Sequence, residues 1–250
     1  MESSLNKRLS TAFVVVSTQL APFGTFAVDL VFEPYASLGY EQYEVGLFDA
    51  FGDEVYVKPT YMRADIGVLI HWNSLYFEGS IGTSDEVNVS DSFGNTAGFS
   101  KDDISFSAGY IHKERYVLFA GFQSSTVQLA YTGNISETID YDSDGVLIGA
   151  GYRQPLTFAD LEFNAAYSNR SARINSTRLL PGDMKPESDG SGFILEAALN
   201  VPLTPPLGLT ANLTYQSFEY SDWNDFYANP VPVTTPEKLT TLRFGIYASF

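Results

Sequence analysis

His71 and His112 are the only histidines, so any imidazole acid–base chemistry would fall to one of them. Ser74 lies close enough to His71 to suggest a nucleophile. However, Trp72-Asn73-Ser74 reads as a turn between them, and no carboxylate is placed to orient the imidazole. No catalytic residue is expected, and both histidines read as solvated turn or lumen groups. The other candidate is Asp140-Tyr141-Asp142-Ser143-Asp144-Gly145, which matches the first half of a calcium loop. It has carboxylates at positions 1, 3 and 5 and glycine at 6, but position 12, which should be a bidentate Glu, is Gly151. Asp140, Asp142 and Asp144 are therefore a weak calcium candidate, and the plainer reading is the acidic top of a strand. With no cysteine, thiolate metal sites, disulfides and cysteine nucleophiles are excluded. No cofactor is expected. A net charge of -16 argues against nucleic acid, whose phosphates call for a basic surface.

The elements that would carry these residues are strands. Tyr (16), Phe (19) and Gly (20) fall in short alternating runs, and no long stretch has helical periodicity or is apolar enough for a membrane-spanning helix. Tight turns are expected near Trp72–Ser74, His112–Glu114, Leu156–Asp160 and Thr204–Gly208. Polar loops are expected over Glu44–Glu54, Asp85–Asp103, Thr132–Asp144, Asn175–Gly190 and Tyr220–Glu237. Five long loops alternating with four short turns delimit ten strands. Ser143-Asp144-Gly145 before Val146–Leu156 is echoed by Ser188-Asp189-Gly190 before Phe193–Leu203, which suggests growth by hairpin repetition. Pro34 cannot donate to a ladder, so pairing is expected to begin after it or to bulge there.

The N-terminus reads as an export signal. Lys7 and Arg8 precede an apolar, small-residue run that ends at Thr25-Phe26-Ala27, giving a signal peptide over 1–27 and a single domain over 28–250. The mature chain would carry 12 basic and 29 acidic side chains, a net of -17.

Period-two alternation then sets the faces. Leu242, Phe244, Ile246, Ala248 and Phe250 share one face of the last strand, with Arg243, Gly245, Tyr247 and Ser249 on the other. Soluble sandwiches alternate too, but the same register aligns Trp72, Tyr110, Tyr116, Tyr152 and Phe250 at one depth beside the short turns. That is the aromatic girdle expected at a membrane interface. The fold expected is all-β: a closed up-and-down antiparallel transmembrane barrel of ten strands, with eight or twelve as alternatives. Both termini would be periplasmic and the long loops extracellular. The inward face would then hold Glu33, Arg63, Asp65, Glu78, Arg153, Glu162, Arg170, Glu196 and Arg243, a mixed-charge lumen network whose bases are all arginine.

The C-terminal Arg243-Phe244-Gly245-Ile246-Tyr247-Ala248-Ser249-Phe250 resembles the β-signal of Gram-negative outer-membrane β-barrels, with Arg243, Gly245, Ala248 and Phe250 in the signal positions. Ala248 is small for its place. This resemblance implies an integral outer-membrane protein in contact with lipid and lipopolysaccharide, delivered by the barrel-assembly machinery. The acidic residues themselves suggest that divalent cations are held weakly at the loops. Ten-stranded barrels include omptin-like proteases, whose chemistry needs His and Asp together at the extracellular rim. Here both histidines are expected at the other end. The function expected is a narrow or largely plugged channel for small solutes. The alternative is a structural or adhesin-type surface protein acting through its loops, and an outer-membrane hydrolase ranks below both.

Overall fold

The computed structural model describes residues 30–48, 54–132, 137–176, 185–224 and 234–250. The signal peptide expected over 1–27 lies outside the described residues. The described residues form twelve strands: β1 Leu30–Phe48, β2 Glu54–Val57, β3 Thr60–Trp72, β4 Leu75–Ser84, β5 Val87–Ser90, β6 Thr96–His112, β7 Tyr116–Tyr131, β8 Glu137–Pro155, β9 Asp160–Ser176, β10 Glu187–Pro202, β11 Leu207–Asn224 and β12 Thr235–Ala248. Ten of them form an up-and-down wall that closes where β12 pairs β1, from Tyr35↔Tyr247 to Val45↔Glu237. The two short strands are continuations. β2 carries on from β3 in the same register against β1 beyond Lys58-Pro59, and β5 carries on from β4 beyond Asp85-Glu86.

The short turns lie where the sequence places them. Trp72↔Leu75 leaves a two-residue loop in which Asn73 takes φ 54°, a left-handed conformation that Asn tolerates better than most residues. Lys113 and Glu114 do the same at φ 52° and 59° between His112 and Tyr116. Pro34 departs from expectation. Phe32 and Phe250 exchange backbone hydrogen bonds at 3.1 Å in the register that Tyr35 and Tyr247 continue, so the ladder runs past the proline without a bulge.

The long loops were read too wide. β8 starts at Glu137 and β6 at Thr96, β9 reaches Ser176, and β11 reaches Asn224, so much of each polar stretch is strand. The reason is a swap of faces partway along the wall. In the short-turn half the outward residues are apolar and the lumen is polar: Ile148 is 68% exposed, Leu118 63% and Phe244 60%. In the long-loop half Asp140, Asp142 and Asp144 point out with Thr126, Gln128, Ser171 and Asp189. There Tyr43, Phe99, Leu129, Tyr220 and Trp223 point in with no exposed surface. Period two persists, but its apolar face is now inside. A 19-residue strand rising ~3.3 Å per residue at ~40° tilt spans about 45–50 Å, nearly twice the ~25 Å lipid-facing band of a barrel. The outer half therefore stands in water and holds a core of the soluble kind. Each fully buried Phe or Leu there contributes about 1.5–3 kcal/mol. The echoed Ser-Asp-Gly segments occupy matching places in β8 and β10, with Ser143 and Ser188 buried inward and Asp144 and Asp189 outward.

A charged belt across the lumen as candidate site

Where the two halves meet, inward side chains from five strands form a belt. β1 supplies Glu41, β3 Arg63 and Asp65, β6 Lys101 and Asp103, β9 Arg170, and β12 Glu237. All seven are at most 9% exposed. Arg63 donates through Nε to Asp65 Oδ1 at 2.7 Å, pairs with Asp103, and lies 3.5 Å from Glu41 Oε2. Lys101 Nζ is 2.7 Å from Asp103 Oδ2 and 3.3 Å from Glu41 Oε1, with its ammonium 5.7 Å from the Tyr43 ring centre. Thr241 and Tyr61 both donate to Glu41, the former at 3.0 Å. Arg170 stacks over Phe218 at 4.4 Å, with Glu237 Oε1 3.6 Å from its Nη1. Tyr220 and Tyr141 donate to Glu237 at 2.7 and 3.2 Å. Arg243, half-buried on β12, reaches Asp65 Oδ2 at 3.8 Å and donates to Asn212 and Thr214 at 3.3 Å each. Counting Arg243, four cations face four carboxylates. This balance is what allows so many charges to leave bulk water.

Directly outward of the belt sits the aromatic core. The hydroxyls of Tyr61, Tyr141 and Tyr220 hang from it into the belt. Toward the short turns the lumen holds a second, looser group. Tyr35 donates to Glu78 at 2.8 Å and Asn164 to Glu196 at 3.1 Å. Arg153 lies 2.6 Å from Asp160 and 3.4 Å from Glu162, and His71 lies 3.7 Å from Glu33.

All nine residues expected in the lumen thus line it, but as two groups. Arg63, Asp65, Arg170 and Arg243 belong to the belt, while Glu33, Glu78, Arg153, Glu162 and Glu196 lie below it. Glu41, Lys101, Asp103 and Glu237 were missed. The last three fall in or at the edge of stretches read as loops, and Lys101 corrects the expectation that every inward base is arginine. One sequence signal was available. Gly82 and Gly145 sit inward beside Arg63 and Arg170, where a β-carbon would meet Arg63 Nη2 at 2.2 Å and Arg170 Cγ at 2.5 Å. Gly82→Ala is expected to prise Arg63 from Asp65 and destabilise the barrel by about 1–3 kcal/mol, read as a lower unfolding midpoint on heat-modifiability gels.

The calcium reading of Asp140, Asp142 and Asp144 does not survive the geometry. The three project from one face of an extended strand, about 6.6 Å apart per pair of residues, instead of wrapping an ion. Gln128 donates to Asp140 at 3.0 Å, and Thr126 and Asn175 donate to Asp142 at 2.8 and 3.1 Å. Among the described residues no cluster of three His, Asp or Glu is arranged to hold a metal. His71 does have a carboxylate beside it, Glu33, at the short-turn end, and Ser74 lies in the exposed turn beyond.

The interface aromatics Trp72, Tyr110, Tyr116 and Phe250 are exposed at the short-turn end. Tyr152 lies beside Tyr116, ring centres 5.6 Å apart, with its hydroxyl on Gln154 at 2.8 Å. Of the terminal residues, Arg243 and Gly245 point inward on β12, Ala248 pairs with Leu207, and Phe250 ties the chain end to Phe32 across the closing seam.

No family model and no curated protein sequence matches the chain. Solved structures do match in shape. The outer membrane protease OmpT from Escherichia coli aligns with a TM-score of 0.57 at 11% identity, over 91% of this chain and 99% of that one. The translocator domain of autotransporter NalP from Neisseria meningitidis gives 0.49 at 11% identity, over 98% and 93%. The β-domain of the Bordetella autotransporter BrkA gives 0.44 at 13%, over 87% and 98%. At these identities the likeness to OmpT is one of fold. It agrees with the closed wall and the apolar outward band: the chain has the fold of an outer-membrane β-barrel.

Proposed function

We propose that this is a non-enzymatic outer-membrane barrel with a closed lumen, working from its long-loop end as a structural or partner-binding surface protein. The observation that carries the reading is the pair of stacked layers, charged belt and aromatic core, whose side chains come from around the wall and leave almost no exposed surface. A solute entering at the short-turn end meets a polar vestibule and then an ion-paired floor. Crossing it would mean breaking several buried pairs, at about 3–5 kcal/mol for each charge left alone. Slow solute passage, the first expectation, therefore yields to its alternative. The same geometry supports a non-catalytic role, because both histidines lie at the short-turn end, His71 facing Glu33 and His112 exposed at the end of β6.

What remains for interaction is the outer half, with a rigid core within and polar side chains without. Its contacts would be lipopolysaccharide at the outward acids and any partner at the loops. The reading requires the long-loop end to face outward. Protease added to intact cells is expected to cut the connections β9–β10 and β11–β12 and to spare the turn at residues 156–159. Cleavage at that turn instead would put the working end in the periplasm and end the proposal.

A further inference from the structure

Within the belt, a run of buried polar atoms has no hydrogen-bond partner among the described residues: Asp103 Oδ1, Ser125 Oγ, Ser143 Oγ, Arg170 Nε and Nη2, and Tyr43 Oη. Asp65 Oδ2 belongs to the same group. The run is contiguous around the wall. Asp103 pairs across strands with Ser125 and Ser125 with Ser143. Arg170 lies opposite Gly145, one inward place along from Ser143. Each of these side chains is at most 5% exposed, so bulk solvent does not serve them. Neighbouring serines elsewhere in the lumen do find each other, as Ser80 and Ser105 do at 2.7 Å. The inward positions around Arg170 are all small: Ser143 and Gly145 across on β8, Ser125 one strand further on, and Ala172 on its own strand.

We propose that this recess is a binding site for trapped water, which bridges Arg170 to Ser143, Ser125 and Asp103 and forms part of the plug. The chemistry selects the occupant. Two of the unpartnered atoms only donate (Arg170 Nε and Nη2), two only accept (Asp103 Oδ1 and Asp65 Oδ2), and three hydroxyls can do either. The surrounding formal charges already balance, four against four. The occupant must therefore be neutral and must donate and accept about equally. Water meets that description. A chloride would satisfy the donors but would face Asp103 and Glu237. Two ion pairs of the belt are long, Arg170–Glu237 at 3.6 Å and Arg243–Asp65 at 3.8 Å, and each ends at a residue with an unpartnered atom. Polar contacts longer than about 3.5 Å are places where a bridging water is to be looked for. Internal waters of this kind usually make about three hydrogen bonds to otherwise unsatisfied groups.

The site rests on the sealed-lumen reading only in that its water is enclosed. The test is a crystal structure of the intact barrel grown in sodium bromide, with anomalous data at the bromine edge. Expected is ordered solvent density within hydrogen-bond reach of both Arg170 Nε and Ser143 Oγ, with no anomalous peak there. An anomalous peak would replace water by an anion, and direct Arg170–Asp103 contact with no density between would remove the site; either overturns the proposal. Solvent density running unbroken from the belt to both mouths would instead sink the sealed-lumen reading while leaving the Arg170 water in place. Ser143→Ala and Ser143→Val give a second check. A wet recess predicts a lower melting temperature for Val than for Ala, because the added methyls displace the bridge. A melting temperature for Val at or above wild type would mean a dry void, and no water site.

Discussion

Replacing Glu41 by alanine is expected to destabilise the barrel by about 3–5 kcal/mol, the usual cost of leaving buried charge without its partner. Glu41 is 1% exposed and serves four groups at once: Lys101, Arg63, Thr241 and Tyr61. Without it the belt holds an excess cation in a region that water does not reach freely. For a barrel of this size the loss corresponds to a fall in unfolding midpoint of roughly 10 °C, read from the temperature at which the compact gel band is lost. Glu41→Gln should cost less, since it keeps an acceptor for Thr241 and Tyr61. Glu41→Leu combined with Lys101→Met should recover much of the loss, because charge and countercharge leave together. A midpoint for Glu41→Ala within a degree of wild type would mean the belt is hydrated and loosely held.

The second large effect separates the two halves of the wall. Ile148 and Asp142 both point outward on β8, six residues apart, but the first lies in the apolar band and the second above it. Ile148→Arg is expected to cost about 2–4 kcal/mol, as arginine does near the bilayer midplane of a barrel. Asp142→Arg should cost less than about 1 kcal/mol, chiefly through the lost bonds from Thr126 and Asn175. Urea titration of barrels folded into lipid vesicles gives both numbers. Equal costs would place the membrane boundary elsewhere or deny the change of faces.

That change of faces also explains what the sequence could and could not say. Ten wall strands, four short turns, the closing strand and the girdle of Trp72, Tyr110, Tyr116 and Phe250 were legible because the short-turn half follows the expected rule, apolar out and polar in. Glu137–Asp144 and Tyr220–Asn224 were taken as loop because outward Asp, Ser and Thr dominate their composition. Their inward partners Ile139, Tyr141 and Tyr220 keep period two but in the opposite phase, and Trp223 joins them beyond an irregularity at Asp222, φ 58°. A search for apolar-out alternation discards such a segment. The lumen arginines were found from register alone. Lys101 and Glu237 were not, because a strand must be recognised before its faces can be assigned. Pairing was the least legible level. Nothing in the local pattern shows that Asp103, four residues from Phe99 and 40 from Arg63, meets the guanidinium of the latter.

A sealed lumen, as proposed, also changes which substitutions should matter for transport. Arg153 and Arg243, two arginines of the expected lumen network, lie below or at the inner edge of the belt, with the aromatic core still outward of both. Removing either leaves that core in place.

Single-channel recording of the purified wild-type barrel in a planar bilayer, at molar potassium chloride and with insertion verified by a folded-state gel band, tests the closed lumen most directly. The account predicts a silent baseline, which Arg153→Ala and Arg243→Ala leave silent. Discrete, stable openings of the wild-type protein would show that ions cross the belt and would contradict it.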